Sequence, residues 1–260
     1  MKRTRTFEDV LAQIERRIAE DGLTAGDRLP AERRLAEQLG VSRSSVREAM
    51  RVLETLGVVS SQVGRGPDAG AVLIARPDSA MTGLLRLHLG LATLELREVI
   101  ETRHMIEQWA ATRAAATRAA ATRAAAGRAA ATRAAAGRAA AGRDGAATPS
   151  AGHAGTEALA AALAGMDAAR TAEEFVEHDT AFHCALADAS GNRLVSAVMR
   201  SLRDTMRKFS VEAVERLGDT AILRAGHVRI LAAIEAGDPA EAAAAVSEHL
   251  ADAYPELFTH

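Results

Sequence analysis

The sequence predicts a mainly α protein in which a small helical unit with one β-hairpin precedes an all-α helical bundle. Apolar residues recur at three- and four-residue spacing along most of the 260 residues, the pattern of helices with one buried face. An extended pattern is confined to one place, where Val58-Val59-Ser60-Ser61-Gln62 and Ala71-Val72-Leu73-Ile74 flank a glycine-rich tip. Breaks between the later helices fall at Ser190-Gly191-Asn192, Leu217-Gly218-Asp219 and Ala236-Gly237-Asp238-Pro239, residue types that terminate helices.

In chain order, Phe7 to Glu20 is a supporting helix whose Val10, Leu11, Ile14 and Ile18 face inward. A second short helix carries Leu35, Ala36 and Leu39, turns at Gly40-Val41, and is followed by a third with Val46, Met50 and Leu53 on its buried side. That third helix, Ser42 to Leu56, opens with Ser42, Arg43, Ser44, Ser45 and Arg47 instead of acids. Ser42 suits the N-cap, where unpaired backbone N–H groups and the helix dipole favour an anion such as a DNA phosphate. Arg43 and Arg47, four apart, project on one side and can reach guanine edges or the backbone in a major groove. The pair of helices is a helix-turn-helix with Ser42 to Leu56 as its recognition helix. With the hairpin as a wing, whose glycines allow close approach to a duplex and whose Arg65 puts a cation at the tip, the unit is a winged helix-turn-helix.

The segment Gly26-Asp27-Arg28-Leu29-Pro30-Ala31-Glu32-Arg33, with Leu35-Ala36, Val41-Ser42-Arg43, Val46-Arg47-Glu48-Ala49, Leu53, Gly57 and Gly64-Arg65-Gly66, resembles the GntR family of bacterial transcription regulators over nearly all of residues 6–76. The resemblance implies that Arg33, Arg43 and Arg47 contact DNA, that Ser42, Ser44 and Ser45 help position it, and that Gly66 enters the minor groove. Pro67-Asp68-Ala69-Gly70 departs from the family by lengthening the wing and adding an acid.

Composition sets the outer bounds. An apolar content of 48% belongs to a soluble globular protein, and with only 5 Phe, 1 Trp and 1 Tyr its cores must be aliphatic. No apolar h-region follows Lys2, Arg3 and Arg5, and no run of about eighteen uncharged apolar residues exists to span a membrane, so a cytoplasmic location is expected. The single Cys184 reads as a small core residue in a reducing compartment. The net charge of −2 conceals a division: residues 1–76 hold 13 Lys+Arg against 11 Asp+Glu, and residues 111–143 hold seven arginines and no acid. A weakly basic DNA reader depends on focused arginines, and its binding falls as salt rises.

Those seven arginines belong to a repeat of five residues, TRAAA or GRAAA, that places Arg113, Arg118, Arg123, Arg128, Arg133, Arg138 and Arg143 at constant spacing. Each unit advances a helix by about 140° net, so the arginines spiral and no face is left apolar enough to pack. Alanine still favours a helix, weakened late by Gly127, Gly137 and Gly142, before a flexible return at Asp144 to Gly155. The segment reads either as a low-complexity insertion or as an auxiliary polycation for nucleic acid.

The organisation is thus residues 1–76 as the winged unit and 77–260 as the helical unit, interrupted by the repeat and return at 112–155. In the helical unit, Asp179 and His183 stand four apart on one helix face, at a spacing that lets both hold a metal. His227 and His249 lie on two helices whose midpoint is residue 238, so folding that hairpin brings both imidazoles to one level. The four side chains fit either a buried polar network or a site for Zn, Ni, Mn or Fe.

LREVIETRHMIEQWAA at 96–111, DTAFHCALADASGN at 179–192 and GHVRILAAIEAGDPAEAAAAVSEHL at 226–250 resemble the FadR-type C-terminal ligand-binding (FCD) domain of one GntR subfamily. The resemblance implies a divalent metal on Asp179, His183, His227 and His249, a small organic acid beside it, and Arg97 and Asn192 near that acid; for Arg97 the competing reading is an ion pair with Glu101. Trp109 stands where the family has a smaller residue. The expectation is a homodimeric repressor that reads a palindromic operator and releases it when a carboxylate binds at the metal. Two rivals are a regulator switched by the metal alone and a metal-dependent hydrolase fused to a DNA-binding module; no general base or nucleophile motif favours the hydrolase.

Overall fold

A computed structural model describes residues 7–61, 71–74, 77–136 and 152–258. The chain forms two compact units, Met1–Leu84 and Leu85–His260.

In the first unit, α1 (Phe7–Glu20), α2 (Glu32–Leu39) and α3 (Arg43–Thr55) precede β1 (Val59–Ser61) and β2 (Ala71–Leu73). The strands pair antiparallel with Val59 opposite Leu73 and Ser61 opposite Ala71. The segment ahead of α2 lies along the other edge of β2, since the Leu29 amide donates to the Ala71 carbonyl at 2.9 Å and the Leu73 amide to the Asp27 carbonyl at 2.8 Å. Val10, Ile14, Leu35, Val46, Ala49, Leu53, Val59 and Leu73 form one core. Gly40 ends α2 at φ 64°, a left-handed conformation that glycine adopts without strain, and turns the chain into α3. The wing tip, with Arg65 and Gly66, lies outside the described residues.

α4 (Pro77–Gly90) runs through the division between the units. The second unit continues with α5 (Leu96–Ala136), α6 (Gly152–Ala168), α7 (Ala172–Ala189), α8 (Arg193–Leu217), α9 (Ala221–Ala236), α10 (Pro239–Ala253) and α11 (Pro255–Phe258). All three breaks expected from glycine fall between helices. Side-chain caps fix several starts: Thr171 for α7, Asn192 for α8, and Asp238, with Pro239 in the first turn, for α10. Phe182, Leu186, Ile100, Met206, Ile230, Ile234, Val246 and Leu250 fill the core.

Two expectations need correction. The helix α6 begins at Gly152, inside the stretch expected to be a flexible return. The repeat does pack at its start: Ala114 and Ala115 join Ala110 and Ala111 in the core. An alanine face offers little apolar area, but it lets neighbouring helix backbones come close; Gly237, at the α9–α10 turn, sits where a Cβ would be 3.0 Å from that of Ala119. From Thr122 to Thr132 every residue of α5 is exposed.

Candidate metal centre and nucleic-acid interface

Helix α3 presents its polar side to solvent. The Ser42 hydroxyl accepts from the Ser45 amide at 3.1 Å and lies 2.8 Å from the hydroxyls of both Ser44 and Ser45, so the helix opens on a cluster of small donors beside its free N–H groups. Arg43 is exposed. Arg47 Nε lies 3.3 Å from Glu32 Oε2, and Arg33 Nε lies 3.9 Å from Glu37 Oε1; Arg33 and Glu37 are largely in solvent, Arg47 about half so, and Glu32 is half-buried. Arg51, one turn beyond Arg47, lines the same shallow groove as Ser44, Arg47 and Glu48. The row Arg43, Arg47, Arg51 was readable in the sequence from its four-residue spacing, and Arg51 is an addition to the expected set.

The second unit brings Asp179, His183, His227 and His249 together, with one candidate ligand atom from each lying within 4.8 Å of all the others. One helical turn stacks Asp179 and His183 on α7, and the α9–α10 hairpin supplies the other two. His227 Nε2 lies 3.3 Å from His183 Nε2 and 3.0 Å from Asp179 Oδ1, and His183 Nε2 is 3.4 Å from that oxygen. Ligand atoms about 2.0–2.2 Å from a shared ion sit about 3.0–3.6 Å from one another, so these spacings fit a metal. Gly226 is part of the construction, because a Cβ there would lie 2.7 Å from His249 Nδ1. A glycine inside a helical pattern, just before His227, was the sequence signal for it.

Around the cluster stands a second set of buried charges that the sequence reading missed. Glu107 Oε2 lies 2.6 Å from His183 Nδ1, and Arg103 Nε donates to Glu107 Oε1 at 2.9 Å. Arg103 also reaches the Tyr254 hydroxyl at 3.3 Å. Arg203 binds the Asp179 carboxylate and, at 3.1 Å, the Thr180 hydroxyl. Burial works to raise the carboxyl of Asp179, but the Arg203 guanidinium and then His183 hold it well below the usual carboxylate range. Burial likewise opposes the Glu107 charge, and Arg103 and His183 overcome it. Burial lowers His227 against the pull of Asp179, and lowers His249 further with help from His227 and His183. Both shifts favour the neutral imidazole, the form that binds metal. Glu107 occupies the Nδ1 side of His183, and Nε2, which faces Asp179 and His227, is the nitrogen placed to meet an ion.

Next to the cluster is a cavity of about 210 Å³ lined by Arg103, Asp179, His183, Arg203, Ser210, His249 and Tyr254, with Phe175, Leu223 and Leu250 among its apolar walls. Arg203 Nε and Ser210 Oγ are buried and, among the described residues, have no hydrogen-bond partner. Arg97, expected at this pocket, is elsewhere: it is exposed and pairs with Glu101 at 2.8 Å. The two Arg/Glu pairs of α5 start six residues apart, hence about 240° around the helix, and the core takes Arg103 and Glu107. Asn192 does not line the cavity; its side chain caps α8 by accepting from Leu194 and Val195 amides at 3.1 and 3.3 Å. Cys184 is partly buried, and burial pushes its thiol up to about 11, so it is an inert packing group.

Comparison with known proteins agrees with both halves. Residues 6–67 match the family described as bacterial regulatory proteins, gntR family, and residues 135–252 match the FCD domain. The HTH-type transcriptional regulator LutR of Bacillus subtilis (strain 168) is 30% identical over 240 residues, covering 88% of this chain and 90% of that one. YcbG, a further HTH-type transcriptional regulator of that organism, is 36% identical over 108 residues, 42% of this chain and 43% of its own. The putative L-lactate dehydrogenase operon regulatory protein of Escherichia coli (strain K12) is 48% identical over 62 residues, 24% of each chain. The match thus spans less than half the length of these last two relatives. A solved structure described as Streptococcus agalactiae GntR shares the fold, with a TM-score of 0.58 at 20% identity over 95% of this chain and 98% of that one. Among the described residues, no helix is long and apolar enough to cross a membrane.

Proposed function

Since the chain belongs to the GntR family of bacterial regulatory proteins, as a DNA-binding transcription regulator with an FCD domain and not an enzyme, we propose that it is a homodimeric repressor whose grip on a palindromic operator is set by a small carboxylate bound beside a divalent metal. Arg43, Arg47 and Arg51 read or anchor DNA from α3, Ser42, Ser44 and Ser45 hold phosphate at its N-terminus, and Arg33 adds a contact from α2. Arg65 and Gly66 of the wing complete the surface. Two copies related by a two-fold axis require a two-fold site.

The observation that carries the effector reading is the charge and hydrogen-bond balance of the cavity. Arg103 and Arg203 offset Glu107 and Asp179, and burial favours the uncharged imidazole at His227 and His249. Asp179, His183, His227 and His249 would hold Zn, Ni, Mn or Fe, which supplies a Lewis-acidic contact for an anionic oxygen. A divalent ion would leave this partly open cavity with excess positive charge, which a carboxylate would offset. Arg203 Nε and Ser210 Oγ, buried and unpartnered, are donors ready for its oxygens. Arg103 and Tyr254, not Arg97 and Asn192, border the space where it would sit. Binding there shifts the population of dimer geometries to those that fit the operator poorly.

The test pairs two measurements. Operator binding of the metal-loaded protein is titrated with a panel of small mono- and dicarboxylates, and at least one is expected to weaken it; if none does, the sensing reading fails. Should zinc addition and EDTA alone switch affinity, the metal is the signal. Replacing Arg43 and Arg47 together with alanine is expected to abolish sequence-selective binding, and retention of it overturns the assignment of α3. Loss of a reporter's repression on deleting the regulator fixes the sign of control; loss of expression would make it an activator.

A further inference from the structure

We propose that the outer part of α5 is an arginine-bearing arm that lies along duplex DNA and holds its phosphates without regard to sequence. The buried part of the helix ends within the first units of the repeat, and from Thr122 to Thr132 the side chains are all exposed. A Cβ built on Gly127 meets no atom within 4 Å. Thr112 to Ala136 contains five arginines and no acid. Among the described residues, Arg113, Arg123 and Arg128 enter none of the ion pairs, in contrast to Arg97 and Arg103 on the same helix.

The chemistry of this rod selects its partner. A solvated helix face ordinarily mixes charges of both signs in pairs one turn apart, and this segment has no acid of its own to offset its arginines. Its apolar groups are alanine methyls, too little area to hold a protein or a second copy of the helix. What remains is a slender cylinder whose exposed stretch carries Arg123 and Arg128 on two different sides. Each five-residue unit rises about 7.5 Å and turns about 140° net, so successive arginines alternate roughly from one flank to the other. The major groove of B-form DNA, about 12 Å wide, admits an α-helix and carries a phosphate row along each edge. Arginines that alternate between flanks can reach both rows, and alanines between them let the rod enter. The deep, narrow major groove of duplex RNA does not admit it.

The experiment measures affinity of the full chain for a random-sequence DNA duplex across a salt series, comparing the native protein with Arg123→Gln/Arg128→Gln. Glutamine keeps the helix, and circular dichroism checks that it does. Loss of two phosphate contacts is expected to reduce the slope of log affinity against log salt by about 1.8, so that a rise from about 50 to 200 mM salt costs about twelvefold less affinity than in the native protein. Arg123→Lys/Arg128→Lys, which keeps the charge, is expected to keep the slope. An unchanged slope in the glutamine variant overturns the proposal. A slope change seen with single-stranded or duplex RNA but absent with duplex DNA overturns it in favour of RNA. Because the probe has no operator and no effector is present, the outcome is independent of the sensing reading.

Discussion

Arg47 on α3 and Arg103 on α5 each pair with a carboxylate, at 3.3 Å from Glu32 and 2.9 Å from Glu107, yet the first pair is 53% and 39% exposed and the second 1% on both sides. In water a guanidinium exchanges partners at little cost, so Arg47 can leave Glu32 for a phosphate. In the core the same group is held by what surrounds it, and removing its partner strands a charge. One residue type is therefore free to exchange partners in the first unit and locked into a buried charge network in the second.

The comparison can be broken most forcefully at the buried pair. Glu107→Ala is expected to destabilise the second unit by about 3–5 kcal/mol, read from the midpoint of denaturant unfolding; a loss below about 1 kcal/mol would mean the pair is as replaceable as a surface one. Next in size is the ion itself: zinc at about a hundred times its dissociation constant is expected to add about 2.7 kcal/mol of stability, removed by EDTA and absent in His249→Ala. Gly226→Ala sharpens the point that the cluster depends on close approach. Helix propensity favours alanine by about 1 kcal/mol, but the added Cβ would stand 2.7 Å from His249 Nδ1. Zinc affinity is expected to fall about tenfold or more, the scale seen for groups that orient metal ligands; calorimetric titration checks it. The smallest effect is expected at the exposed pair, where Glu32→Gln changes stability by less than about 1 kcal/mol and leaves operator affinity equal or higher, since Arg47 is released. Weaker operator binding in that variant would show that Glu32 holds Arg47 in its DNA-contacting pose.

The same contrast explains what was legible in the sequence. The α1–α3 helices, the Ser42 cap and the two strands of the hairpin follow from local periodicity and turn chemistry, and the structure has them; the strand register came only with the structure. Asp179, His183, His227 and His249 were legible together because one spacing lies within a helical turn and the other is symmetric about a turn. Arg103 was not, because two Arg/Glu pairs on α5 carry the same local pattern and only the packing of α7 and α10 against one face of α5 decides which is buried. Arg203 pairs with Asp179 across two helices, which no spacing along the chain reveals. The packed start of the alanine repeat was hidden for a related reason: a methyl group's burial depends on how near its neighbours come, and that nearness is a property of Gly237 and the α9–α10 turn.

The position of that turn against Ala119 bears on how the chain can vary. Gain or loss of a whole five-residue unit farther out moves the free tip by about 7.5 Å but alters no residue of α5 as far as Ala119. A repetitive stretch of this kind can therefore gain or lose arginines one unit at a time while the helix packing around Asp179, His183, His227 and His249 stays as it is.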